Sequence, residues 1–359
     1  MQPIPQRVSL SGQVVEILRR ELRRGRWPAQ LPGETTLADL LQVSRSTLRA
    51  ALGVLRREGL LQVAQGSRWR PAPGATARAP ARSRTIVLVS SQPLHQQSWF
   101  SILITDELRR HLHRAGYELQ VRFLPQTARR VAGRQAERLT AQTRAACWIL
   151  SSCSQELQRW FQRRPEPALV LGSCHQGVTL PYLRLDVAAA CRHAAGVLHR
   201  LGHRRIGLLL PRSPYAGAGE VEQALRAACA GRSAEPVVRY HEPGIRAIAL
   251  AVDALRRSAA RPTALIVMMP DDALTVLCHL LGRGCRLPGE LSLVSLFDDL
   301  YLTRATPEPA RYTCNPSGFV RRLARLAVRV ARPGTPPPSV SVFPAFIPGA
   351  TLGPPPAEA

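Results

Sequence analysis

Between residues 85 and 350, apolar runs of four or five residues alternate with longer stretches of helical periodicity, and this alternation constrains the fold more than any other feature. The runs at 86–90, 118–122, 147–150, 168–171, 206–210, 237–239, 264–268 and 293–296 predict strands. Helical patterns follow most of them, at 99–115, 130–143, 155–163, 187–201, 221–230, 244–258, 272–283 and 317–330. Short strands joined by helices of this length require an α/β fold, with parallel sheets covered on both faces. In such sheets ligands bind beyond the carboxyl ends of the strands, so the loops that follow strands are the places to look for function.

Composition shifts mark the boundaries. Residues 71–84 hold no large apolar side chain and several prolines, which predicts a locally stiffened linker between an N-terminal domain (1–70) and a larger one (85–350). A last short strand is expected over 340–346. Proline and glycine crowd 331–338 and 353–357, so 351–359 is expected to be a disordered tail.

The chain has 359 residues and a formal charge of +25, and every one of its 49 basic residues is arginine. With no lysine, neither a pyridoxal-phosphate Schiff base nor a P-loop lysine is available. The charge is unevenly spread. Residues 1–70 carry 12 arginines against 5 acids, a denser positive balance than the 34 against 19 of residues 85–359. That excess suits nucleic acid as the partner of the N-terminal end.

Eight cysteines (147, 153, 174, 191, 229, 278, 285, 314) form no Cys-x-x-Cys pair and have no histidine at ligand spacing. They are expected to be core residues rather than disulfides or metal ligands, and no cofactor or metal is expected. His111 and His113 lie two apart on a predicted helix and so point to different faces. No apolar run approaches the roughly 18 residues of a membrane span, and Met1–Arg7 lacks the apolar core of a signal peptide. A cytoplasmic protein without a membrane partner is expected.

In the N-terminal domain a helix is predicted from Ser11 to about Arg24, stopped by Gly25, with Val14, Val15, Leu18 and Leu22 on one face. A short helix over 34–41 and a turn at Gln42-Val43 lead to a third helix, capped by Ser44 and running to about Glu58. Its first turn carries Arg45, Ser46, Thr47 and Arg49, donors suited to phosphates and base edges. A strand from Gly59 and a tight turn at Gln65-Gly66-Ser67-Arg68 then suggest a β-wing.

Leu31-Pro32-Gly33-Glu34, Leu37-Ala38, the run from Val43 to Leu52, Leu55 and Glu58-Gly59-Leu60 resemble the winged helix-turn-helix of GntR-type bacterial regulators over roughly residues 8–70. The resemblance implies that Arg45 and Arg49 touch double-stranded DNA, with Ser44, Ser46 and Thr47 close by. It also implies a wing, with Gly66 and Arg68, that enters the minor groove. Thr35 stands where that family usually has arginine, and the wing has one glycine where two are common.

The larger domain resembles the effector-binding domain of the LacI family, which shares the fold of periplasmic sugar-binding proteins. The matching runs are Asp186-Val187 through Leu201-Gly202-His203-Arg204-Arg205-Ile206-Gly207, Pro262-Thr263-Ala264, and Leu287-Pro288-Gly289-Glu290 through Phe297-Asp298-Asp299. The resemblance implies two hinged subdomains with a small sugar or polyol in the cleft. It puts Asp271 or Asp272, and Asp298 or Asp299, at strand ends where a carboxylate can accept from hydroxyls, with Asp186 as a third position. Each acid could instead cap the helix that follows it. Gly202 reads as a helix stop, with the basic residues after it facing the last carbonyls. An arginine that many sugar-binding relatives place before a Gly-aromatic pair has no counterpart in Ala216–Ala224.

The combination is expected of a ligand-responsive transcription regulator, a repressor that binds a palindromic operator as a homodimer. The alternatives are a DNA-organising protein with a ligand-free sensor domain, and an enzyme using the C-terminal cleft. For the enzyme, Gly172-Ser173-Cys174-His175 is the nearest reactive-looking cluster, but no Gly-x-Ser-x-Gly occurs.

Overall fold

The computed structural model describes residues 9–23, 26–27, 30–64, 68–72, 83–91, 93, 97–124, 129–212, 216–231 and 234–356. Gly25, Gly66, residues 73–82 of the linker and the last three residues of the tail lie outside the described residues. The chain divides into two compact units, Met1–Arg82 and Ser83–Ala359.

The first unit contains α1 (Leu10–Arg23), α2 (Glu34–Leu41), α3 (Arg45–Arg57) and an antiparallel pair, β1 (Leu61–Ala64) and β2 (Arg68–Pro71). Val14, Val15, Leu18 and Leu22 of α1 meet Leu37 of α2 and Leu48, Leu52 and Leu55 of α3 in one buried core. Each fully buried leucine contributes about 1.5–3 kcal/mol, so the periodicity that predicts the helices also closes them on one another. The turn between α2 and α3 is tight: Gln42 is left-handed at φ 53°, and the Val43 N–H donates to the Ala38 carbonyl at 3.1 Å. Ser44 caps α3 by accepting from the Thr47 N–H at 3.2 Å.

The second unit has two lobes, each a six-stranded sheet between helices. The first lobe begins with β3 (Thr85–Ser90), α4 (Trp99–Arg114), β4 (Glu118–Phe123), α5 (Arg129–Gln142), β5 (Cys147–Ser151), α6 (Gln155–Gln162), β6 (Ala168–Leu171) and β7 (Tyr182–Leu185). The chain then crosses to α7 (Val187–Arg200), β8 (Arg205–Pro211), α8 (Ala218–Cys229), β9 (Glu235–His241), α9 (Ile245–Arg257), β10 (Ala264–Val267), α10 (Pro270–Gly282), β11 (Ser292–Ser295) and β12 (Ala310–Thr313). It returns for α11 (Pro316–Val330) and β13 (Val340–Val342), and crosses a third time to β14 (Ala345–Ile347). The sheet orders are β13-β7-β6-β5-β3-β4, parallel throughout, and β14-β12-β11-β10-β8-β9, parallel except where β14 runs against β12.

Three sequence expectations need correction. The strand expected over 340–346 is two strands in different sheets, because Phe343-Pro344 interrupts it and proline has no N–H for the ladder. The tail does not fray from residue 351: Thr351 is buried, donates to the Leu293 carbonyl and accepts from the Ala310 N–H at 3.1 Å. Nor does His203 face helix carbonyls. Its Nε2 lies 2.9 Å from the Gly353 carbonyl, so that nitrogen carries the proton, while Nδ1 accepts from the Thr263 hydroxyl at 2.9 Å. This imidazole ties Gly353 into the second lobe. Gly202 does stop α7: at φ 101° it lets the His203 N–H reach the Leu198 carbonyl at 3.0 Å.

Candidate functional site

In the first unit the first turn of α3 gathers hydroxyls and guanidinium groups at the surface. Arg45, Ser46 and Arg49 are exposed, as is Arg68 on β2. The Ser44 hydroxyl sits 2.9 Å from that of Ser46 and 2.8 Å from that of Thr47, a cluster held in place by the cap. Arg49 is oriented as well as exposed. Its Nε donates to Glu34 at 2.7 Å, and the other oxygen of Glu34 accepts from the Trp69 indole at 3.2 Å. The Arg49 and Trp69 hydrogen bonds hold the Glu34 carboxyl below its ordinary pKa, against a smaller opposing effect of burial. One carboxylate thus links the start of α2, the third helix and the wing strand.

In the second unit a cavity of about 630 Å³ opens between the lobes. It collects the carboxyl ends of strands from both sheets: Ser90, Ser151, Leu171 and Leu185 on one side, Pro211, His241, Met268 and Phe297 on the other. This is where parallel strands leave their loops and helix N-termini converging. Phe100, Phe297 and Phe319 supply apolar faces, and Ser90, Ser101, Ser173 and Gln158 supply hydroxyl and amide groups.

Two of the five expected acids line this cavity. Asp271 accepts from the Tyr301 hydroxyl. Its pKa is raised, first by burial and then by Asp299 and Asp272. Asp272 accepts a hydrogen bond from His241 Nε2 at 3.1 Å. The other His241 nitrogen faces the Glu242 carbonyl at 3.0 Å, so both partners are acceptors and the doubly protonated ring satisfies both. Burial lowers the His241 pKa, but Asp272 and the Glu242 carbonyl outweigh it and leave it raised.

The other three acids have structural places outside the cavity lining. Asp186 sits at the first crossing between lobes, caps α7 by accepting from the Ala189 N–H at 2.9 Å, and donates its own N–H to Val342. Asp298 pairs with the buried Arg311 at 2.8 Å. Asp299 is buried and accepts from the Leu300 N–H at 2.7 Å, and the backbone of Trp99 and Phe100 at the start of α4 is near enough to moderate the rise in its pKa that burial causes. A strand-end carboxylate close to a helix N-terminus or a buried guanidinium is consumed by it, which sequence alone does not reveal.

The structure also brings to the cavity residues that sequence reasoning passed over. Arg184, on β7, reaches across the cleft to Glu220 at 2.7 Å and lies over the Tyr182 ring. The signal was a lone arginine within Tyr182–Leu185, a run too short and too polar to be predicted as a strand. Glu220 falls in the stretch that the family resemblance marked only for a missing arginine. By contrast, Cys174 and His175 make no catalytic pair. Burial pushes the Cys174 thiol up to about 11, and it faces the Leu180 carbonyl; His175 Nε2 is engaged by the Cys153 carbonyl at 3.1 Å. Among the described residues no cluster of three metal-ligating side chains occurs, and no helix is long and apolar enough to cross a membrane.

The model for the gntR family of bacterial regulatory proteins matches residues 10–70, and that for the periplasmic binding protein-like domain matches residues 195–352. The arabinose metabolism transcriptional repressor of Geobacillus stearothermophilus is 25% identical over 298 residues, 77% of this chain and 78% of that protein. The HTH-type transcriptional repressor NanR of Klebsiella aerogenes is 41% identical over 66 residues, covering 18% of this chain and 25% of its own length. Among solved structures, a LacI family transcriptional regulator from Bifidobacterium animalis subsp. lactis superposes with a TM-score of 0.67 at 21% identity, over 77% of this chain and all of that one. The transcriptional regulator CelR in its cellobiose complex gives 0.67 at 19% identity, over 90% of this chain and all of that one. The chain thus joins a domain of the gntR type of bacterial regulatory proteins, at residues 10–70, to a periplasmic binding protein-like domain, at residues 195–352, whose fold is that of the LacI family regulators named above.

Proposed function

We propose that this regulator is a repressor that binds a palindromic operator as a homodimer and releases or tightens its grip when a small sugar or polyol enters the cleft. Residues 1–70 are the DNA-binding domain, 71–84 the linker, and 85–350 the effector-binding and dimerisation domain. Arg45 and Arg49 contact DNA together with Ser44, Ser46 and Thr47, and the wing contributes Gly66 and Arg68. Asp271 and Asp272 accept from effector hydroxyls.

The observation that carries the reading is the cavity, whose wall combines carboxylates and hydroxyls, which can pair with sugar hydroxyls, with the apolar faces of Phe100, Phe297 and Phe319. The relatives support the same class: one is named for arabinose metabolism, and one structure holds cellobiose. The lobes provide the means of response. Arg184–Glu220 spans the cleft, so a ligand that favours one lobe arrangement shifts this contact.

The test is selection from a random duplex-DNA library with the full-length protein at about 0.15 M salt, where non-specific phosphate binding is weakened. Calorimetric titration with a panel of neutral sugars and polyols follows. An enriched palindrome and a sugar that changes affinity for it establish the reading. Retention of DNA without a shared motif would favour a DNA-organising protein instead.

A further inference from the structure

We propose that the cleft admits only uncharged polyhydroxylated effectors, and that Glu220 is the residue that excludes their phosphorylated and carboxylated counterparts. The proposal rests on the sugar or polyol reading above and sharpens it to a charge class.

The argument starts from the cations. A phosphate or carboxylate taken out of water needs cationic or N–H donors that nothing else has claimed. Among the described residues, the cavity is lined by three side chains able to carry positive charge: Arg184, Arg212 and His241. Arg184 and His241 are held by carboxylates of the protein itself, Glu220 at 2.7 Å and Asp272 at 3.1 Å, whereas Arg212, 64% exposed, pairs with Glu242 at 3.3 Å at the solvent-facing rim. Asp271 adds an acid with no cation of its own, held by the Tyr301 hydroxyl. The chain carries +25 overall, yet inside the rim the cleft offers no uncommitted positive charge among those residues. Bulk attraction would gather anions at the surface; the lining would reject them.

Glu220 stands where this rejection is decided. It occupies the first turn of α8, and Gly217 and Ala218 at the start of that helix also line the cavity. A helix N-terminus facing a guanidinium across a cleft would be an anion site. Here the Glu220 carboxylate fills that role from within the chain, while Arg184 is further fixed by Ser341 at 3.2 Å. The carboxylate remains 43% exposed, so removing its charge does not leave a hole in the core. Neutral hydroxyls can still donate to Glu220, Asp271 and Asp272, whereas an added phosphate would meet three carboxylates at close range.

The experiment is calorimetric titration of the full-length protein and of two variants, Glu220→Gln and Arg184→Gln/Glu220→Gln, with matched sets: arabinose, arabinose 5-phosphate and arabinonate, and the glucose and cellobiose equivalents. Thermal melting confirms that each variant folds. In the wild type, a neutral sugar is expected to bind on the order of a hundredfold more tightly than its phosphate or acid. Glu220→Gln should narrow that ratio by about tenfold, because a freed guanidinium pairs with the anion. The double variant should restore it, since the arginine has gone. Equal or tighter binding of a phosphate or acid by the wild type would overturn the proposal and leave the sugar reading standing. A ratio unmoved in Glu220→Gln would overturn the assignment to Glu220. Binding of no compound in any set would bring down the sugar reading, and this inference with it.

Discussion

The two units use charge in opposite ways. In the DNA-binding unit, Arg45, Arg49 and Arg68 lie exposed, and the Arg49–Glu34 pair is at the surface, where such pairs are worth about 0–1 kcal/mol. A phosphate replaces so weak a partner readily. In the effector unit, Arg311 is 6% exposed and held by Asp298 at 2.8 Å, Glu308 at 2.7 Å and the Pro309 carbonyl at 3.2 Å. There the charge is spent on architecture. The difference shows that a count of arginines says little about function until their partners are known.

The contrast breaks most visibly at Arg311. Replacement by leucine leaves Asp298 with no cation, so Arg311→Leu is expected to lower the stability of the effector unit by about 3–5 kcal/mol. Urea denaturation of the full chain, read by the fluorescence of Trp148 and Trp160 in that unit, measures it. A loss below 1 kcal/mol would mean that the buried pair behaves like a surface one.

Arg49→Ala sits on the other side of the comparison. The protein should keep its melting temperature within a degree or two, while operator binding at matched salt falls by about ten- to a hundredfold, with the salt slope reduced by about one unit. Fluorescence anisotropy across a salt series separates these terms. Unchanged affinity would remove Arg49 from the interface.

Much of this arrangement was legible in the sequence. Short apolar runs bounded by helices located most strands of both sheets, and Val14, Leu18, Leu48 and Leu52 announced the core of the first unit by spacing alone. What stayed hidden depended on partners distant in the chain. The strand Ala310–Thr313 carries Arg311 at its second position, a burial that makes sense only with Asp298 and Glu308 beside it. Asp299 looked like a ligand group because nothing in its neighbourhood of the sequence reveals that it is buried and turned onto the Leu300 N–H that follows it. Arg184 was passed over for the same reason: Glu220 becomes its neighbour only when the lobes face one another. Apolar periodicity is local information, whereas pairing of charges is not.

Glu34→Gln sharpens the contrast with a smaller effect. Glutamine keeps an acceptor for the Trp69 indole but loses the charge that orients Arg49. Operator affinity is expected to drop about threefold, consistent with a surface pair, while the salt slope stays at the wild-type value because no phosphate contact is removed. A slope that fell as in Arg49→Ala would mean that Glu34 maintains the whole interface rather than one side chain.

The smallest effect belongs to His241, whose partners, Asp272 and the Glu242 carbonyl, both accept. Its pKa in the folded unit is raised, whereas the unfolded chain has the ordinary value of 6.5. The stability it lends is therefore complete below pH 6.5 and is lost as the pH climbs through the raised folded value. Melting temperature of the wild type should decline over that interval, and His241→Gln should flatten the decline without changing the acid limb. Because Asp272 lines the effector cavity, the same titration is expected to weaken sugar binding on the alkaline side. If the variant retained the full alkaline decline, another group would be responsible, and the cleft's pairing of charges would contribute nothing to its pH response.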